Sequence, residues 1–189
     1  MEPPIAGRRP RERHLHGETI TDDYFWMRER QNPDVIAYLE AENAYTERMT
    51  RHLAPLREEI FNEIKGRTQE TDLAVPAQRG DYWYSTRTEE GRPYHLWVRM
   101  TGGPDGPETV LLDENLEAEG NDYFRLTTGS VAPDAATVGY SIDIDGGERY
   151  PTRFRDTATL ADLPDEIPDT YYRAAWASDS SHYLYTTTD

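Results

Sequence analysis

The chain has 189 residues, of which 36% are apolar and 30% charged, with no cysteine and a formal net charge of −16. This composition excludes disulfides, thiolate nucleophiles and cysteine-held metals, and it disfavours nucleic-acid binding, which relies on Lys and Arg against phosphates. Up to Gly66 there are 10 basic and 13 acidic residues, and after it 10 and 23, so the second part either keeps the chain in solution or draws in cationic ligands.

The length suffices for one sizeable domain or two small ones. The opening residues 1–17, MEPPIAGRRPRERHLHG, are rich in Pro, Arg and Gly without periodicity and are predicted to form an extended arm. They carry no apolar run of the kind a secretory signal needs, and no stretch of ~18 apolar residues occurs anywhere, so a cytoplasmic protein without a membrane span is expected.

Residues 18–74 read as a helical segment. In DDYFWMRERQNPDVIAYLEAEN, Asn32 suits an N-cap, Pro33 the first helical position and Asp34 the positive end of the helix dipole. Val35, Ile36, Leu39, Tyr45 and Met49 then follow steps of three and four, with Glu42 breaking the apolar stripe, which predicts a helix to about His52. A second helix is expected from Pro55 to Gly66, with Leu56, Ile60, Phe61 and Ile64 on one side, and the two are expected to pair as a hairpin.

From Val75 onward, residues 75–189, the period changes. The runs Asp81–Thr88 and Tyr94–Met100 are rich in aromatic and β-branched residues and flank the loop Glu89-Glu90-Gly91-Arg92-Pro93; Glu108–Asp113 follows, predicting a three-stranded meander. Two later segments echo each other, Ser130–Asp143 around Ala132-Pro133-Asp134 and Ala175–Asp189 around Ala177-Ser178-Asp179. Each reads as strand, tight turn, then a strand centred on Tyr140 or Tyr185. Repeats of about 40–50 residues with about four strands each are characteristic of β-propeller blades. The expected fold is therefore mainly β with N-terminal α-helices: a partial β-propeller of about two and a half blades, reading as the front of something larger.

Chemistry is sparse. The Gly-x-Ser-x-Gly turn that exposes a hydrolase nucleophile is absent, and Ser130, in Thr-Gly-Ser-Val-Ala, reads as a strand residue. His14 and His16 form an H-x-H pair without further ligands, while His95 and His182 are expected within strands. Asp143-x-Asp145-Gly146 resembles the start of a calcium loop, but the twelfth position is Phe154, so a Gly-Gly turn explains it better. Gly102-Gly103-Pro104-Asp105-Gly106 lacks the Lys and the helix of a phosphate loop. No catalytic, cofactor-binding or metal-binding residue is assigned, and no cofactor is expected.

Several long strings carry a resemblance. Tyr24-Phe25-Trp26-Met27-Arg28, the Asn32-Pro33-x-Val35-Ile36-x-Tyr38-Leu39 helix with Glu42-Asn43, and DYWYSTRTEEGRPYHLWVRM (81–100) closely resemble the N-terminal portion of the oligopeptidase B group of the prolyl oligopeptidase family. LLDENLEAEGNDYFRL (111–126), VAPDAATVGYSIDIDGGERY (131–150) and LPDEIPDTYYRAAWASDSSHYLYTTTD (163–189) continue the similarity. The resemblance implies a cytosolic serine peptidase that cuts short basic peptides after Arg or Lys. In that family a propeller gates access to an α/β-hydrolase domain, the N-terminal helices pack on that domain, and the Ser-Asp-His triad lies in the C-terminal hydrolase part. No triad residue has a counterpart here, so this chain alone is expected to be inactive. The alternative is a non-catalytic, propeller-derived binding module for basic peptides or a partner subunit.

Overall fold

The computed structural model describes residues 2–187, the Thr128 side chain apart, so Thr188 and Asp189 of the second echo lie outside the described residues. The chain divides into two compact units, one ending at Thr68 and one beginning at Gln69. Leu73 bridges to Arg87, and the Ala74 N–H donates to the Thr86 carbonyl, which ties the residues before Val75 to the second unit.

The first unit opens with more structure than an arm. Strands β1 (Arg11–Leu15) and β2 (Glu18–Asp22) pair antiparallel through a two-residue turn in which His16 and Gly17 both have positive φ, 53° and 85°. That geometry matches the twist of a tight hairpin. Because RERHL and ETITD show almost no apolar alternation, the hairpin is silent in the pattern and visible only in its turn. A 3₁₀ turn, Phe25–Arg28, then buries Trp26. The Trp26 indole N–H donates to the Gly7 carbonyl at 3.0 Å, and Arg9 stacks over its ring while its guanidinium donates to Asp34.

Helix α1 (Pro33–Thr50) starts as its sequence predicts: the Asn32 side chain accepts from the Asp34 N–H at 3.0 Å, with Pro33 in the first turn. Glu42, which interrupts the apolar stripe, accepts from the Tyr38 hydroxyl one turn earlier at 2.6 Å. The expected helical hairpin does not form. A 3₁₀ turn, Arg51–Leu53, leads directly into α2 (Ala54–Arg67), and together they make one helix of 35 residues, about 50 Å long. The joint stays right-handed, with Arg51 at φ −53° and Leu53 at φ −90°. Pro55 lies in the first turn of α2, where a missing N–H is tolerated, and no glycine or left-handed residue reverses the chain. Val35 alone is buried along this rod, while Ile36, Leu39, Met49, Leu56, Ile60, Phe61 and Ile64 are exposed.

The second unit holds two antiparallel sheets. The first has the order β3 (Ala77–Arg79), β4 (Tyr82–Arg87), β5 (Leu96–Thr101) and β6 (Glu108–Asp113), one strand more than the predicted meander. The loop between β4 and β5 is longer than the five residues expected because Asn115 captures Tyr94: its amide oxygen accepts from the Tyr94 N–H, and its nitrogen donates to the Tyr94 carbonyl. His95 accordingly lies just before β5, and His182 just before β11, rather than within strands. A short helix α3 (Glu114–Glu117), capped by the Asp113 side chain, leads to the second sheet.

That sheet has the order β11-β10-β9-β8-β7, from β7 (Arg125–Val131), β8 (Thr137–Asp143), β9 (Tyr150–Asp156), β10 (Asp162–Trp176) and β11 (Tyr183–Thr187). Strand β10 serves two blades. Its first part pairs with β9 as far as Thr170, and its second part pairs with β11 from Thr170 to Trp176. The register shifts on both sides of Thr170, and Asp169 beside it has φ 55°, so the strand bends there. The result is one four-stranded blade, a second completed by the start of β10, and the first two strands of a third.

The echoed turns are structural equivalents. Asp134 accepts from the Ala136 N–H and Asp179 from the Ser181 N–H, each two residues on, with Ala135 and Ser180 left-handed between them. The Ser180 hydroxyl also accepts from the Asp134 N–H, so the two turns touch. At the β8–β9 turn, the fully buried Asp143 accepts backbone N–H bonds from Asp145, Gly146 and Glu148. Burial alone would raise its carboxyl, but these bonds outweigh it and hold the pKa below the usual value. The calcium-like string is thus a turn anchor.

Two apolar clusters organise the blades. Leu96, Val98 and Met100 line one face of β5 with Trp83 and Val110, while Leu112, Phe124, Tyr140 and Ile142 join the two sheets with Tyr94, Trp97 and Leu126. Glu114 is buried at this junction and accepts from the Trp97 indole N–H at 2.7 Å. Burial raises its carboxyl pKa, an effect the Trp97 bond only partly opposes.

The raised Glu114 pKa sets a sign for stability. Its charged form is disfavoured in the fold, so the unfavourable contribution is present above the raised folded value, shrinks as pH falls through it and is gone below the unfolded value near about 4.3. Glu114→Gln keeps an acceptor for Trp97 and is expected to raise the melting midpoint at pH 7 by about 2–4 °C, with no gain at pH 4, as thermal melts at both pH values will show. The exposed apolar row on the rod yields a second expectation. Ile60→Glu combined with Ile64→Glu is expected to reduce self-association in sedimentation velocity while leaving the melting midpoint within about 1 °C, because surface changes of this kind alter stability by about 0.5 kcal/mol or less.

Candidate functional site

The seam between the first and second blades is held by three side chains from β5 and β9. Trp97 lays its ring on bare backbone at Gly129, where an added Cβ would stand 2.4 Å from the indole. Two residues on, Arg99 donates to the carbonyls of Ala135 and Thr157, both at 3.2 Å, and stacks over Tyr82. Arg155 donates to Glu117 and Asp162, both at 2.7 Å, and lies over the Tyr140 ring. Burial alone would lower the Arg155 pKa, yet the bonds to Asp162 and Glu117 raise it, and burial drives the Tyr140 phenol well above its ordinary value. Both groups therefore keep one protonation state across the physiological range.

Beside this seam lies an open cleft of about 700 Å³. Trp97, Thr127 and Gly129 form one wall; Tyr172 to Ala175 on β10 and Leu184 to Thr186 on β11 form the other. Aromatic packing shapes the strands behind it: Phe154, Trp176 and Tyr183 meet edge to face with centroids 4.9–5.8 Å apart, and the Trp176 indole N–H donates to the Ser130 carbonyl. Among the described residues the lining contains one charged side chain, Arg173, and neither a carboxylate nor an imidazole. A cleft of this composition can hold an apolar or aromatic group, but it has no group able to shuttle a proton at neutral pH.

The histidines do not converge. His14 bonds the Thr19 hydroxyl across the hairpin, and His16 sits in its turn. Among the described residues no three His, Cys, Asp or Glu side chains group as a metal site. One arrangement was missed in the sequence: the Ser181 hydroxyl lies 2.6 Å from both Asp179 and His182 Nδ1. The order is wrong for a triad, because the hydroxyl donates its proton to the carboxylate instead of to a histidine oriented by that carboxylate. All three lie exposed in the third blade's turn. The string Ser178-Asp179-Ser180-Ser181-His182 carried the signal, and the geometry makes it an Asp-capped turn.

The chain matches the family described as the prolyl oligopeptidase N-terminal β-propeller domain over residues 3–189. It is 33% identical to Protease 2 of Moraxella lacunata, covering 100% of this chain and 28% of that protein, and 30% identical to dipeptidyl aminopeptidase BI of Pseudoxanthomonas mexicana, covering 99% and 28%. Among solved structures it superimposes on oligopeptidase B of Leishmania major with a TM-score of 0.90 at 28% identity, and on the closed form of the Trypanosoma brucei enzyme carrying covalently bound antipain with 0.88 at 30%. Both superpositions cover 100% of this chain and 29% of those proteins. From the match over residues 3–189 and the shared architecture, the chain belongs to the prolyl oligopeptidase family of peptidases and corresponds to the N-terminal portion of these longer relatives.

Proposed function

We propose that this chain is the access-controlling N-terminal part of an oligopeptidase B-like serine endopeptidase that cuts short peptides after Arg or Lys, with chemistry supplied by a separate hydrolase portion. The observation that carries the reading is the fit of the whole chain to two oligopeptidase B structures, in which it accounts for 29% of the length. The blades filter by size, and the surplus of acidic side chains raises the local concentration of cationic peptides. The apolar row along α1 and α2 supplies a surface for the hydrolase portion, since exposed apolar patches of this extent mark interaction sites. A cytoplasmic setting agrees with the absence of cysteine and with the lack, among the described residues, of a helix long and apolar enough to cross a membrane.

A second reading is a propeller-derived binding module that recognises basic peptides or a partner subunit without catalysis. It is favoured by the cleft beside Trp97, which has binding walls but, among the described residues, no proton-transfer group. The downstream reading frame separates the two: further blades followed by Gly-x-Ser-x-Gly support the peptidase, unrelated sequence the module.

Purified chain incubated with Arg-containing dipeptide fluorogenic substrates is expected to show no hydrolysis above blank, because nucleophile and base together create the covalent route. Inhibitor-sensitive turnover by the chain alone would refute the division of labour. For the longer protein, kcat/KM toward a dibasic peptide is expected to fall about tenfold between low and high salt while kcat holds; a salt-independent kcat/KM would remove the steering role.

A further inference from the structure

We propose that the half-open pocket between the first and second blades is a binding site for a flat aromatic anion, separate from peptide access. The cavity, about 330 Å³, falls within the range of small-molecule pockets. Its walls are apolar: Trp97 and Val98 from β5, Leu111 from β6 and Val138 from β8. Ala74 and Ala77 stand at its lining where larger side chains would fill the space, so the edge strand β3 leaves it open. Such walls favour a planar ring system, which gains area and edge-to-face contact with the indole.

One polar feature specifies the charge. Arg79, also in the lining, makes no ion pair among the described residues, in a chain with 36 acidic side chains. An exposed guanidinium at the mouth of an apolar cavity offers a planar fork for a carboxylate or sulfonate. An aromatic body with an anionic group at one end meets both the apolar walls and the guanidinium.

The test is isothermal titration of the purified chain with 2-naphthalenesulfonate, a two-ring anion. Saturable one-to-one binding is expected. Ala77→Phe, which fills the cavity from the edge strand, is expected to weaken it about tenfold or more, and Arg79→Gln about tenfold, the loss of one charge-assisted contact. Uncharged 2-naphthol is expected to bind wild type and Arg79→Gln equally and Ala77→Phe weakly. Arg79 is exposed, so its variant keeps the fold and the test stands even if Ala77→Phe does not. No saturable binding to wild type overturns the proposal, as does sulfonate binding indifferent to Arg79→Gln, which would place the probe on the exposed helical row instead.

Discussion

The contact of Trp97 with Gly129 fixes the second unit. A bare backbone on β7 lets the indole of β5 approach to a distance that any side chain would forbid, and that approach brings Leu112 against Tyr140 and Ile142 in the cluster that joins the sheets. Close-packed interiors transmit such constraints because there is little free volume to absorb a shift. Strand β8 shows the consequence. Its residues from Val138 to Asp143 are all buried, which a sheet achieves only when both faces are covered, here by the first blade on one side and by Tyr183 of the third against Gly139 on the other.

Around this apolar seam, cations act as fasteners rather than as catalysts. Arg99 uses two donors on the carbonyls of two turns in the neighbouring blade, and Arg155 is held between Glu117 and Asp162 over the Tyr140 ring. Arginine suits these places because its planar fork satisfies several acceptors at once and stacks on aromatics. In a chain so rich in carboxylates, these half-buried arginines tie sites far apart in sequence, residue 99 to 157 and residue 155 to 117. The rod of α1 and α2, by contrast, leaves its apolar row exposed.

The sequence by itself determined the pieces with local causes. Asn32, Pro33 and Asp34 start a helix because cap, ring and charge all act within one turn, and the strands Tyr82–Arg87, Leu96–Thr101 and Glu108–Asp113 follow from aromatic and β-branched runs between turn residues. The paired turns at Asp134 and Asp179 were legible because an aspartate bonding two residues ahead is a local event that repeats with the blade. The absence of an assigned catalytic set followed from missing motifs, and the functional direction came from long strings shared with a family, not from any cluster of reactive groups.

Tertiary structure decided what depends on partners distant in the chain. Proline at 55 reads as a break, yet only the three-dimensional course shows that the joint keeps right-handed backbone and makes a rod. Strand β10 reads as one run of extended residues, and only its pairing divides it at Thr170, because membership of a blade is set by which neighbours supply hydrogen bonds. The seam, the cleft and the cavity all arise where Trp97 meets a glycine 32 residues later, a coincidence of shape across space that no spacing rule encodes.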